Sequence, residues 1–134
     1  MNEEILHDML KEVEDALVQD ETIREIKEQG ALKSFNRPEG LEDTAISVVI
    51  DPLGPPERVA KGSNTSLSKK FIYQINVESG NRMECKTIQR KIERQLESIG
   101  FAQTSGGLDE YFTATKRYVD ARRYIGHSKL YENY

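Results

Sequence analysis

Apolar residues recur at intervals of three and four over the first twenty positions. Ile5, Leu6, Met9, Leu10, Val13 and Leu17 fall on one face of a helix over residues 3–19, and Glu3 and Glu4 stand at its start, where the helix dipole favours negative charge. Asp20 is placed to cap a second, short helix that carries Ile23 and Ile26 and stops at Gly30. Residues 31–36 suggest a short strand anchored by Leu32 and Phe35, and Arg37-Pro38-Glu39-Gly40 has the chemistry of a turn. AISVVI, residues 45–50, is rich in β-branched residues and predicts a strand with Ile46, Val48 and Ile50 on one side. It is expected to stop at Asp51-Pro52, because proline has no N–H for a ladder.

Period two is clearest over residues 69–78. Phe71, Tyr73, Ile75 and Val77 alternate with Gln74, Asn76 and Glu78, so the first set faces a core and the second faces out. Ser79-Gly80-Asn81 follows as a turn. Residues 82–99 then return to helical spacing, with Cys85, Ile88, Ile92, Leu96 and Ile99 in a stripe and Gly100 as the terminator. Residues 101–104 suggest a strand and Ser105-Gly106-Gly107 a turn. In TKRYVDARRYI, Arg117, Val119, Ala121 and Arg123 alternate with Tyr118, Asp120, Arg122 and Tyr124, which favours a strand; a helix pairing Tyr118, Ala121 and Tyr124 is the rival reading. Residues 51–68, with three prolines, two glycines and a Ser/Asn/Thr run, suggest a long flexible loop, and residues 126–134 a loose C-terminal tail. The order of elements predicts one domain over residues 1–134, of α+β class, with a mostly antiparallel sheet packed against two main helices.

Composition adds limits. The chain has 134 residues, 37% of them hydrophobic and 31% charged. A chain of this length has enough surface to bury for a single core. No apolar run approaches the roughly 20 residues that a spanning helix needs, so no membrane partner is expected. One cysteine, Cys85, excludes an internal disulfide. The net charge of −4 is unevenly spread. Residues 1–29 hold ten acidic residues against Lys11, Arg24 and Lys27, a balance of −7, whereas residues 116–134 balance at +3. Such polarity either reflects two solvated faces or attracts a second copy or an oppositely charged neighbour.

The search for chemistry finds no reacting constellation. The two histidines, His7 and His127, stand near opposite ends, and no His-x-x-His or Cys-x-x-Cys spacing supports a metal site. His7 fits the surface of the first helix, and Cys85 fits a buried structural thiol on the apolar stripe. Ser105-Gly106-Gly107 lacks the lysine and helix start of a phosphate-binding loop, so no cofactor is expected. The acidic pairs Glu3/Glu4, Glu42/Asp43 and Asp109/Glu110 have no spacing that specifies catalysis. The chain is therefore expected not to be an enzyme. Lys116, Arg117, Tyr118, Arg122, Arg123 and Tyr124 mix cations with rings, as single-strand nucleic-acid binders do. An isoelectric point near 5.3 opposes that reading, and Arg and Tyr equally suit protein interfaces. Protein contact is preferred, with Arg58, Lys61, Arg117, Arg122, Arg123 and Tyr124 as the candidate partner-binding residues.

Residues 99–126, IGFAQTSGGLDEYFTATKRYVDARRYIG, carry a family resemblance. The succession of a helix end, a strand, a Gly/Asp turn with an aromatic, and a closing strand rich in Arg and Tyr resembles the tail completion proteins of long-tailed bacteriophages. It is most similar to the tail-to-head joining proteins of Bacillus siphophages, a group that looks related in fold to the tail terminators of lambda-like phages. Over the rest of the chain the resemblance is one of length and element order. It implies a structural virion protein that caps the tail tube and joins it to the head connector, as a ring of six copies. The implied partners are the protein itself, the head completion or connector protein and the tail tube protein, with DNA passing through the lumen without specific binding. The implied location is the head–tail interface of the virion, reached by assembly in the host cytoplasm. A general protein-interaction adaptor is the alternative from the residues alone, and a nucleic-acid-binding domain the next.

Ile92 lies in the middle of the clearest apolar stripe. Ile92→Asp places an unpaired charge in the core and should cost several kcal/mol, on the order of the whole stability of a small domain. Thermal unfolding followed by circular dichroism checks this; a wild-type melting curve would mean that the helix faces the other way.

Overall fold

A computed structural model of the chain describes residues 6–60, 66–129 and 133–134. Three helices, α1 (Met9–Leu17), α2 (Glu21–Glu28) and α3 (Arg82–Glu97), accompany six strands. The strands are β1 (Leu32–Ser34), β2 (Ser47–Pro52), β3 (Glu57–Ala60), β4 (Ser66–Ser79), β5 (Ala102–Phe112) and β6 (Arg117–His127). They form one sheet in the order β1-β2-β4-β6-β5, with β3 paired to the first part of β4. Only β1 and β2 run parallel; the other pairings are antiparallel. The fold is α+β, as expected.

Each helix begins where an Asx side chain takes up a loose backbone N–H. Asp8 accepts from Leu10 at 3.0 Å, Asp20 from Ile23 at 3.0 Å, and Asn81 from Glu84 at 3.1 Å. The first of these caps moves the start of α1 later than the apolar spacing suggested. Leu6 is exposed outside the helix and bridges Asn133, and His7 precedes the helix and stacks on Tyr134 at 5.2 Å. The expected residues 3–5 of that helix lie outside the described residues. Phe35 corrects a second expectation: it is exposed and anchors no core. β2 stops at Asp51-Pro52, as expected, with Pro52 as its last residue. There β1 has already ended, opposite Ile50, so the missing N–H faces an unpaired edge.

The helices all lie on one side of the sheet. α3 crosses β4 and β6, and α1 and α2 flank it. Phe71, Tyr73, Ile75 and Val77 point into this layer and meet Ile88, Ile92 and Leu96 of α3 with Val13, Leu17 and Ile23. The strand reading of residues 117–127 holds over its helical rival, and β6 becomes the central partner of β4. At the middle of the helix–sheet interface sits Gln89, fully buried. Its Nε2 donates to the carbonyls of Ile75 and Asp120, each at 2.8 Å, and its Oε1 accepts from the Tyr124 hydroxyl at 2.9 Å.

Parts of two segments expected to be loose are built into the sheet, while residues 61–65 and 130–132 lie outside the described residues. Within residues 51–68, Glu57–Ala60 pairs with β4, with a bulge after Val59. The polar composition there belongs to a pair of strands in which Glu57 and Arg58 are exposed and Ser68, opposite Val59, is buried. Within residues 126–134, β6 continues to His127, and Ser128 exchanges hydrogen bonds with Lys69 at 2.8 Å in both directions. Tyr134 is buried, packs edge-on against Phe71 at 5.7 Å and donates from its hydroxyl to Glu12 at 3.0 Å. Ser105-Gly106-Gly107 is no turn: β5 runs through it with a bulge, and the hairpin turn lies at residues 113–116.

Gln89 joins α3 to both β4 and β6. Gln89→Leu keeps the volume and leaves the Tyr124 hydroxyl buried without its acceptor. Urea denaturation should show a loss of about 1–3 kcal/mol with the secondary structure retained. An unchanged midpoint would remove Gln89 as the tie between layers.

Candidate functional site

The face of the sheet opposite the helices is polar and open. A chain of hydrogen bonds crosses it from β2 to β6. Asn76 donates to Asp51, Gln74 donates to Asn76, and Arg123 donates to Gln74, each at 3.0 Å. Burial raises the Asp51 carboxyl above its usual range, and the Asn76 bond offsets part of that. Arg117 closes the other end of this face. Its guanidinium meets Glu78 at 3.0 Å and donates to the Asp43 carbonyl at 3.0 Å, which straps the connection between β1 and β2 to the sheet. Between these groups lies a shallow groove of about 340 Å³, with Leu108, Phe112, Val119 and Ala121 on its floor and walls.

The candidate residues are distributed differently from the sequence expectation. Tyr124 is 0% exposed and cannot anchor a partner. Burial pushes its phenol well above the ordinary value, so it stays protonated and serves Gln89. Arg122 points to the helix side and grips the buried Asp120 with two bonds, at 2.9 and 3.2 Å. The hydrogen bond to Asp120, set against burial, raises the Arg122 guanidinium above its usual value. Lys86 of α3 completes this cluster, 2.7 Å from Asp120 and 2.5 Å from Asp109. Burial lowers the Lys86 ammonium, but its two carboxylate partners outweigh burial and hold it above the usual value; the same bond holds Asp109 below its own. Two cations and two carboxylates therefore neutralise one another. Arg117, with a side chain only 12% exposed, is likewise committed within the fold. Arg123 lies on the open face against a neutral partner, and Arg58 is exposed on β3. Lys61 lies outside the described residues.

The surface that sequence reasoning missed is β5. Ten of its eleven residues are exposed, and the eleventh, Thr104, is partly so. It is the last strand of the sheet, paired on one side only with β6. Leu108, Tyr111 and Phe112 are all exposed. Leu108 and Phe112 share the open face with Glu110, whereas Asp109 and Tyr111 lie on the helix side, where Lys86 of α3 reaches Asp109 and Tyr111 packs on Tyr118. The double-glycine bulge shapes this strand. A Cβ on Gly107, at φ +115, would come within 2.1 Å of the Ala121 carbonyl oxygen, and one on Gly106 would strike the Arg123 side chain. Both positions require glycine to bring β5 against β6. A signal for the missed surface existed in the residues: LDEYF alternates poorly, because neither face of the strand is covered.

Among the described residues no three His, Cys, Asp or Glu groups converge as metal ligands. No helix there is long and apolar enough to cross a membrane. Compared with known proteins, the chain matches no family model and no curated protein.

Cys85 is buried on α3, with its sulfur 3.6 Å from the Tyr118 carbonyl. Burial, with Asp120 and Glu84 nearby, pushes its thiol up to about 11. At pH 8 the folded protein should resist iodoacetamide and the urea-unfolded protein should react fully, because the thiolate is the nucleophile. Mass spectrometry reads the adduct; rapid native labelling would place Cys85 at the surface.

Proposed function

We propose that the chain is a structural assembly protein that closes a phage tail and joins it to the head connector, as a ring of copies with DNA passing through. The observation that carries this reading is the long strand β5, which has an open edge and both faces uncovered. A strand that exposes Leu108, Tyr111 and Phe112 beside unpaired backbone groups invites pairing with another chain. Proteins that act alone blunt such edges with lysine, proline, a bulge or a covering segment; β5 contains neither lysine nor proline, and its bulge ends at Gly107, before the exposed run from Leu108 to Phe112. Support also comes from the ribbon of β3 and β4, which extends past the end of β6 and offers area for a tail or head neighbour. The nucleic-acid alternative loses ground, because Arg117 and Arg122 spend their charge on Glu78 and Asp120. A DNA lumen is better served by such neutralised groups than by a basic patch, since tight binding would impede passage.

The test is genetic and structural. In a phage that carries this gene, deletion should leave DNA-filled heads and finished tails unjoined, counted by electron microscopy. Supplying the intact chain should restore joined, infectious particles. Normal virions from the deletion would remove the assignment.

A further inference from the structure

The main path of the sheet ends in β1 and β5, with β3 a short further edge on β4, and each of the two end strands carries an unexplained feature. On the β1 side the feature is Phe35. It is 61% exposed and adopts φ +74, a conformation that bulky residues rarely take. Asn36 N–H reaches the Ser34 carbonyl at 2.9 Å across it, which makes Phe35 the centre of a three-residue turn of a rare and strained kind. Phe35 N–H is itself held by the Ile50 carbonyl at 3.1 Å, so the turn is fixed to the sheet and thrusts the ring outward. Lys33, beside it on the open face, is exposed as well. On the β5 side the feature is the exposed run of Leu108, Glu110 and Phe112 on that same open face.

We infer that the two edges are made for each other: β1 of one copy pairs with β5 of the next, and Phe35 and Lys33 dock against Leu108 and Glu110. This deepens the ring reading above and rests on it. Strand direction supports the pairing. Through the sheet, β1 and β2 run one way, β4 the other, β6 back again, and β5 with β4. A neighbour related by rotation about an axis along the strands therefore presents its β1 antiparallel to β5, with its helices on the same side. The side chains also agree. When Lys33 stands opposite Glu110 on the open face, the turn at Phe35, just past the end of β1 at Ser34, lies toward the Leu108 end of the neighbouring β5. A cation thus meets a carboxylate, and an exposed ring meets an exposed aliphatic chain. The contact joins two different surfaces, so it propagates from copy to copy and closes when the rotation does.

Disulfide trapping in the full chain tests this. Lys33→Cys combined with Glu110→Cys should give a ladder of covalent oligomers on mild oxidation, and neither single variant should. A covalent dimer from Glu110→Cys alone would mean that β5 pairs with β5, and would overturn the inference. So would the absence of a ladder from the double variant while light scattering shows oligomers; the copies would then meet elsewhere, and the ring reading would stand. A chain that stays monomeric throughout also overturns the edge pairing, and the deletion phenotype then judges the head–tail role separately. Phe35→Gly supplies a readout that a structural role would not move. It should melt no lower than wild type, since glycine accepts the positive φ, yet associate at least about tenfold more weakly. Lys33→Glu should weaken association, and adding Glu110→Lys should restore it. Unchanged association in Phe35→Gly and Lys33→Glu would sink the proposal.

Discussion

The structure depends on the buried side chain of Gln89. A sheet and a helix usually meet through apolar groups alone, and a polar group placed between them is costly unless every bond is made. Gln89 makes them: its amide N–H groups donate to two carbonyls on adjacent strands, and the Tyr124 hydroxyl donates a hydrogen bond to its oxygen. Those partners lie on β4 and β6, so one side chain sets the height and rotation of α3 over both strands. With α3 held in this way, Ile88, Ile92 and Leu96 face the sheet, and α1 and α2 pack at its flanks. Satisfied networks of this kind specify one arrangement where an apolar interface alone would permit sliding.

Confining the helices to one side decides what the rest of the sheet must do. The opposite face cannot be apolar over its centre, and the chain from Asp51 through Asn76 and Gln74 to Arg123 meets this need with neutral or single-charge groups. The helical layer is also narrower than the sheet. It covers β4 and the near side of β6, and it reaches β5 through Lys86, whose ammonium bridges Asp109 to the buried Asp120. Asp120 is tolerated there because two cations surround it; the loss of either would leave a carboxylate poorly compensated. Beyond this bridge β5 extends with its residues exposed, while Tyr118 of β6 still packs against the core. The exposure of β5 thus follows from the width of the helical layer and is not a defect of packing.

Much of this was legible in the residues. Period two in Phe71, Tyr73, Ile75 and Val77 and period 3.6 in Cys85, Ile88, Ile92 and Leu96 fixed the faces of β4 and α3, because burial selects the side chain directly. What stayed hidden depended on distant partners. Tyr124 shares its alternation with Arg122 and Asp120, so that side of β6 looked half polar and open to partners. Its core character depends on Gln89 and Lys86, which lie more than thirty positions earlier in the chain. Residues 57–60 looked like loop because a ribbon strand needs no apolar pattern. Tyr134 looked loose because its docking depends on His7 and Phe71. The glycine pair at 106 and 107 resembled a turn, since bulges and turns use the same backbone freedom. Of the candidate partner-binding residues, Arg58 and Arg123 lie on accessible surface, and the stronger surface, β5, escaped notice because its residues follow neither period.

Phe35 shows how stability and assembly are balanced in this chain. A non-glycine residue held in a strained region costs about 1–3 kcal/mol, and an exposed aromatic ring returns nothing to the isolated fold. Covering most of a phenylalanine side chain contributes roughly 1.5–3 kcal/mol, which is enough to offset such a strain only after a neighbour covers it. The geometry is therefore a cost to the single copy that association can cancel. Exposed Leu108 and the unpaired edge of β5 have the same character, because both gain from a second chain and neither gains from the first. Strain on one edge and exposure on the other make the isolated domain less favourable than it needs to be, and the proposed pairing of edges would offset both. A fold that assembled in this way would link its own stability to concentration, as obligate assemblies do.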